Sequence, residues 1–331
     1  MPAGPLATRP LQARYATLDP GAPLDDDVLT AVVFGAQTPC PADPRCLRID
    51  LEPLAGTAHS EVWRGCGPAR LGTSGPIRHV DDGEHFAGWL SLEERRFGGL
   101  LEATEAAYLA ILGLHADSPY RHVFRIWNVV DAINEGDGDE ERYRQFCLGR
   151  ARAFAASRGG PPGIGYPAAS AVGKQGETRS LQVCWFSMRE PGLAIENPRQ
   201  MSAFHYPRRY GPAAPSFSRA MIAPDNTLYV SGTASILGHA SVHPNDPAAQ
   251  LDETMVNLDV LLQRAVASQR LQQGKLGANS LVKVYLRHAE DAAMVERRLR
   301  QRLGEQVPLL ILAADICRSE LLLEIELVHR D

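Results

Sequence analysis

The chain has 331 residues, 44% of them apolar and 22% charged. At ~100–200 residues per domain this length holds about two domains, large enough to bury a core without disulfide or metal staples. The 34 basic against 39 acidic side chains leave a net charge of -5, the wrong sign for a general nucleic-acid binder. No apolar run reaches the ~20 residues that a membrane-spanning helix needs. Met1-Pro-Ala-Gly-Pro lacks the charged and apolar regions of a signal peptide. The six cysteines (Cys40, Cys46, Cys66, Cys147, Cys184 and Cys317) form no CxxC pair. A reduced, cytoplasmic protein is expected.

Residues 1–45 are rich in Pro, Gly, Ala and Asp and read as an extended arm with a short strand at Val28–Phe34. Helical periodicity follows near Leu92–His115, with Leu100, Ala103, Ala107 and Ile111 on one stripe, and again near Asp139–Ala156. Between them, His122–Val130 is aromatic and β-branched and predicts a strand. Gly159-Gly-Pro-Pro-Gly-Ile-Gly is a turn cluster, and Ser180–Met188 a strand.

In the second half, Ser218–Ala223 and Thr227–Ser231 read as strands around an Asp225-Asn226 turn. A long helix is expected over Pro247–Gln273, where Leu251, Met255, Leu258, Leu262 and Val266 keep a 3.6 period and Gly274 and Gly277 supply a stop. A strand at Leu281–Arg287, a helix at Asp291–Leu303 and strands at Val307–Cys317 and Leu321–His329 complete the chain. The order helix–strand–helix–strand thus occurs twice, at about 95–188 and 247–329. No residue-level repeat accompanies it, so a diverged duplication and an ordinary α+β chain both fit.

The last strand carries the sharpest chemical pattern. Leu321, Leu323, Ile325 and Leu327 share one face, and Leu322, Glu324, Glu326 and Val328 the other. If that second face is enclosed, desolvation raises a carboxyl pKa and makes a proton donor; if it is an edge, both charges are simply solvated. Cys317 ends the preceding strand beside Arg318 and reads either as a nucleophilic thiolate or as inert packing. On the helix from Asp139, Tyr143, Phe146 and Arg150 fall on one stripe, and an Arg with a Tyr in reach suits a carboxylate ligand. Arg142, Arg144 and Arg152 share that helix, so Arg150 is not distinguished by pattern.

The Pro-, Tyr- and Arg-rich stretch His205–Arg219 is either an anion-binding loop or a linker. Val230-Ser-Gly-Thr-Ala-Ser-Ile-Leu-Gly-His239 has small residues that would let a ligand approach the backbone, but no phosphate-loop motif. Pro244 follows His239 and His243, no HExxH or GxSxG occurs, and the thiols lack ligand spacing, so no metal and no cofactor are expected.

Tyr229-Val-Ser-Gly-Thr, Gln250 and Asn257-Leu on the long helix, Leu281-Val-Lys-Val-Tyr-Leu and Glu324-Ile-Glu together resemble the YjgF/RidA superfamily. One departure matters. RidA imine hydrolases carry a carboxylate-binding Arg where this chain has Val307-Pro-Leu-Leu-Ile-Leu, which weighs against imine or enamine hydrolysis. Over about residues 120–329 the chain resembles a narrower family, the chorismatases. The carrying segments are His122-Val-Phe-Arg-Ile-Trp-Asn, Glu141-Arg-Tyr-Arg-Gln-Phe-Cys-Leu-Gly-Arg150, Tyr206-Pro-Arg-Arg-Tyr-Gly-Pro, Phe217-Ser-Arg-Ala, Ser231-Gly-Thr-Ala-Ser-Ile-Leu-Gly-His-Ala-Ser and Asp315-Ile-Cys-Arg. The match is nearest to the bifunctional type making 3- and 4-hydroxybenzoate, associated in xanthomonads with pigment and ubiquinone precursors.

The resemblance implies an α+β (α/β) fold of two YjgF/RidA-like, chorismate-mutase-like halves, with mixed sheets packed by long helices. The expected division is 1–190, a degenerate half with its arm, and 191–331, the half holding most of the active site. It implies chorismate as substrate, pyruvate as product and no cofactor. Glu324 resembles the acid that protonates the enolpyruvyl methylene, and Cys317 matches the cysteine of members that form 3-hydroxybenzoate. Tyr143, Arg150, Tyr206 and Arg219 resemble the substrate-holding set, and Ala234 sits where types differ between Ala and Gly. Glu326 is expected to stabilise the oxocarbenium ion. A non-catalytic metabolite-binding member is the remaining alternative, and since RidA proteins are trimers, a homo-oligomer is compatible. No nucleic-acid or membrane partner is expected.

Overall fold

The computed structural model describes residues 10–56, 58–157, 166–174 and 179–331. The glycine-rich turn cluster at 159–165 lies outside them. Val28–Phe34 is apolar at nearly every position and all seven residues are buried, as a strand covered on both faces must be. It lies inside a four-stranded sheet in the order Gln12–Ala16, Ser60–Arg64, Val28–Phe34, Cys46–Ile49. The expected N-terminal arm is therefore a folded layer, because a strand with no polar face has no stable place on a surface.

Among the described residues two seven-stranded sheets follow, together with a two-stranded ribbon of Ile236–Leu237 and Ala240–Ser241. The first runs Asp315–Ile316, Ala168–Lys174, His122–Asp131, Ser180–Met188, His85–Glu93, Ile77–Asp81, Arg70–Ser74. The second, read from its opposite edge, runs Pro53–Ala55, Leu309–Ala313, Ser280–Leu286, Leu323–His329, Leu228–Thr233, Ala220–Ile222, Leu193–Ile195. Four helices cover them: α1 (Leu100–Ala116), α2 (Arg142–Ala156), α3 (Pro247–Ala267) and α4 (Ala292–Leu303). In each sheet the second and third strands are parallel and joined through a helix, α2 or α4, and the neighbours beyond are antiparallel. The doubled element order seen in the sequence is thus a doubled topology. Each sheet ends on a short strand from the other part of the chain, Asp315–Ile316 on the first and Pro53–Ala55 on the second.

The helices pack outside and the sheets face each other. Leu323, Ile325 and Leu327 join the core with α3 and α4, while α1 and α2 cover the first sheet through Ala107, Ile111, Phe146 and Ala153. Trp127 and Phe186 meet Tyr229 and Met221 between the sheets. The strand bearing Glu324 and Glu326 is central, and its glutamates point into that interface, only 4% and 5% exposed.

Two helix boundaries differ from expectation. Leu92 belongs to the strand His85–Glu93, and α1 starts only after Gly98 and Gly99, whose φ angles of +98° and +151° interrupt any helix. α3 begins as its signals require, with Pro247 in its first turn and the Asp246 carboxylate accepting from Ala249 N–H at 2.9 Å. It stops at Ala267 because Gln269 is left-handed at φ +62°, before either glycine.

Candidate active site

A cavity of about 290 Å³ opens between α2, the loop 205–219, the strand Leu228–Thr233 and the turn 314–322. Tyr143, Arg150, Tyr206, Arg219, Ala234, Cys317 and Glu324 all line it.

Polar residues of α3 and Arg287, just after the strand Ser280–Leu286, hold its rim. The Gln250 amide donates to Glu320 O (2.9 Å) and accepts from Leu322 N–H (2.8 Å). Asn257 Nδ2 donates to the carbonyls of Ala234 (3.1 Å) and Ile236 (3.0 Å). Arg287 donates to Leu321 O, Ile316 O and Arg318 O, so the turn that carries Cys317 is tied at three carbonyls.

Charge pairing separates the arginines of α2. Arg142 pairs with Glu94, Arg144 with Glu141, and Arg152 lies 3.7 Å from Glu105. Arg150 is buried, yet its Nε and Nη2 have no partner. Its guanidinium rests against Tyr108 (4.9 Å to the ring centre) and Phe154 (5.5 Å), which hold a cation without neutralising it. Arg219 donates from Nη2 to Met201 O and the Tyr206 hydroxyl, both at 2.7 Å, and its Nε is unpartnered. Buried donors left open in this way suit an anion.

Five arginines and three glutamates line the cavity, and Glu324 is the buried one of the three. Its Oε1 is buried with no partner. Burial, then the charge of Glu326, pushes its pKa up to about 8, against the pull of Arg125 and Arg219. Gly232 on the neighbouring strand makes room for it, since a Cβ there would overlap the Glu324 carboxyl. The small residues of the 230–239 segment thus admit a side chain of the protein itself.

Glu326 lies outside the cavity lining. It accepts from Arg125, Trp127 Nε1 (2.8 Å), Ser170 Oγ (2.6 Å) and Lys283 Nζ (2.9 Å). Although burial opposes ionisation, Arg125 and Lys283 pull its pKa down to about 2. Its charge is already matched by these partners and it does not line the cavity, which corrects its expected role beside an oxocarbenium ion. Cys317 is also corrected in one respect. Burial, then Glu324, pushes its pKa up to about 12, so it is a neutral thiol rather than a thiolate. Burial and the nearby thiols of Cys147 and Cys317 likewise raise Tyr143.

Sequence reasoning missed several lining residues. Cys147 lies one turn from Tyr143 on α2 and lines the same cavity. Arg318 lies over the rings of Tyr210 (4.1 Å) and Tyr206 (5.1 Å); its place beside Cys317 was the available signal. Ser170, in an Ala-rich strand, gave none. The histidines behave as loop residues: His239 meets Arg209 and Tyr210, and His243 is left-handed at φ +60°.

Among the described residues one group has metal-ligating atoms close together, Cys66, Asp82 and His85. The Asp82 carboxylate there already accepts from the N–H groups of Cys66, Glu84 and His85 and lies 3.1 Å from His85 Nδ1. These contacts account for it as a turn anchor.

Comparison with known proteins agrees with this geometry. Residues 61–187 match the family model of the N-terminal region of FkbO/Hyg5-like chorismatases. A 3-hydroxybenzoate synthase of Streptomyces hygroscopicus is 35% identical over 291 residues, 84% of each chain. A chorismatase of Streptomyces rapamycinicus is 36% identical over 278 residues, 81% of each chain. A crystal structure of a chorismatase superposes with a TM-score of 0.82 at 28% identity, covering 98% of this chain and 100% of that one. The chain belongs to the chorismatase family, and its fold of mixed sheets packed by helices is that of a chorismatase.

Proposed function

We propose that this chain is a chorismatase that removes the enolpyruvyl group of chorismate without a cofactor. It releases pyruvate with 3-hydroxybenzoate, 4-hydroxybenzoate or both. The observation that carries this reading is a buried carboxyl with an unpartnered oxygen, Glu324, in a cavity lined by arginines with open donors. Chorismate is a dicarboxylate with an enol ether, so it asks for two cationic subsites and one acid. Arg150 and Arg219 clamp the carboxylates, and Tyr143 and Tyr206 flank the ring.

Glu324 donates its proton to the enol ether CH2, which makes pyruvate a leaving group. In the intramolecular route the adjacent ring hydroxyl displaces it, its proton restores Glu324, and the ring aromatises to a hydroxybenzoate. The atoms of chorismate then divide between the two products with no co-reactant. If water attacks instead, a dihydrodiol results. Cys317, as a neutral thiol beside Glu324, favours the aromatising route, and Ala234 shapes the same wall.

In this reading the site belongs mainly to residues 191–331, with Tyr143 and Arg150 supplied by residues 1–190. The products feed pigment and ubiquinone precursor synthesis in the cytoplasm, as in the xanthomonad-type members. The test is incubation with chorismate alone, resolving aromatic products and pyruvate by chromatography. Equal amounts of pyruvate and hydroxybenzoate are expected. Intact chorismate after tight binding would leave a binding protein instead.

A further inference from the structure

Glu324 and Glu326 leave the same face of one strand, ~7 Å apart along the chain. Around Glu326 the structure gathers two cations, an indole N–H and a hydroxyl; Glu324 Oε1 receives nothing. Lys283 also pairs with Glu61 at 2.6 Å, and Glu61 accepts from Trp63 Nε1 at 2.8 Å. The cluster is closed: Glu61, Arg125, Lys283 and Glu326 are all buried.

We propose that Glu326 is a positioning residue for the reaction. By holding Arg125 and Lys283 on itself, it keeps Glu324 neutral and able to donate its proton. The proposal rests on the reading of Glu324 as the acid. Two carboxyls this close inside a protein do not ionise equally; the one with the donors takes the charge.

The groups facing Glu324 are Glu326 on its own strand, Arg125 on the first sheet, Lys283 and Tyr285 on the adjacent strand, Arg219 at the cavity wall and Cys317 on the turn. Arg219 is already engaged by Met201 O and Tyr206. Arg125 keeps one buried Nη1 without a partner. With Gln at position 326, Arg125 loses its counter-ion and Glu324 becomes the replacement. The acid would then ionise at the pH where it has to donate.

The test follows the protonated carboxyl infrared band of Glu324, identified by its loss in Glu324→Gln, against pH. It is measured with kcat in the wild type, Glu326→Gln and Lys283→Met. Removing the negative neighbour moves the titration midpoint down by more than one pH unit. At pH 8, kcat then falls ~5-fold for the first pH unit by which the midpoint drops and ~10-fold for each further unit, and recovers as the pH is lowered. Removing the cation moves the titration the opposite way. Loss of packing alone would lower activity in both variants and leave the midpoint in place. An unmoved midpoint in the folded variants overturns the proposal. Should Glu326→Gln fail to fold, the upward movement in Lys283→Met decides. If the band moves as expected and kcat does not follow it, Glu326 sets the protonation of Glu324 but not the rate, and the reading of Glu324 as the acid is overturned together with the proposal.

Discussion

The cavity around Glu324 and the closed cluster around Glu326 are built on one strand, from the same residue type, with the same alternation. They differ in what the other strands bring. Arg125, Trp127 and Ser170 from the first sheet and Lys283 from the second all converge on Glu326. Gly232 offers Glu324 only space. Burial alone therefore does not make an acid: it raised one carboxyl to about 8, while the other fell to about 2. The allocation of donors decides which group carries a proton and which carries a charge.

The largest way to break this comparison is Glu324→Gln. It keeps the shape and removes the acidic proton, so turnover of chorismate should fall by about 1,000-fold with binding retained, as steady-state kinetics and calorimetry would read. Full activity would remove Glu324 from the acid role. Arg150→Met takes away the open donors that α2 brings to the cavity. KM should rise by about 10- to 100-fold with a smaller change in kcat, and an unchanged KM would return Arg150 to a packing role.

Stability separates the two carboxyls by pH. The Glu324 pKa is raised in the folded state, so its unfavourable contribution grows as pH rises from the ordinary carboxyl range to about 8. Glu324→Gln should then melt at a higher temperature than the wild type at pH 8, with the gap closing toward pH 4. The Glu326 pKa is lowered, so its stabilisation is present above the ordinary range and lost as pH falls toward 2. Glu326→Gln should melt lower than the wild type at neutral pH, with that deficit shrinking in acid. Equal melting offsets at both pH values would contradict the split. The smallest effect on rate is expected from Cys317→Ala, which should change the ratio of 3- to 4-hydroxybenzoate more than total pyruvate release. A constant ratio would detach Cys317 from product choice.

Much of the second half was legible. The 3.6 period of α3, its start at Pro247 and the alternation of the last strand are local signals, and the structure keeps them. The strands at Arg70–Ser74, Ile77–Asp81 and Ala168–Lys174 were not legible. The first two are only five residues long, and the Gly and Ala residues of the third leave little hydrophobic pattern. At the site, residue types were legible and charge states were not. Arg150 became distinguishable only when Arg142, Arg144 and Arg152 were seen to face acids. The difference between Glu324 and Glu326 depends on residues up to 201 positions away, which no local pattern contains.

The most direct measurement is the infrared difference spectrum at pH 7 between the wild type and each of Glu324→Gln and Glu326→Gln, without substrate. The account predicts that Glu324→Gln removes a protonated carboxyl band and that Glu326→Gln removes a carboxylate band. A carboxylate signal lost with Glu324, or a protonated one lost with Glu326, would contradict it.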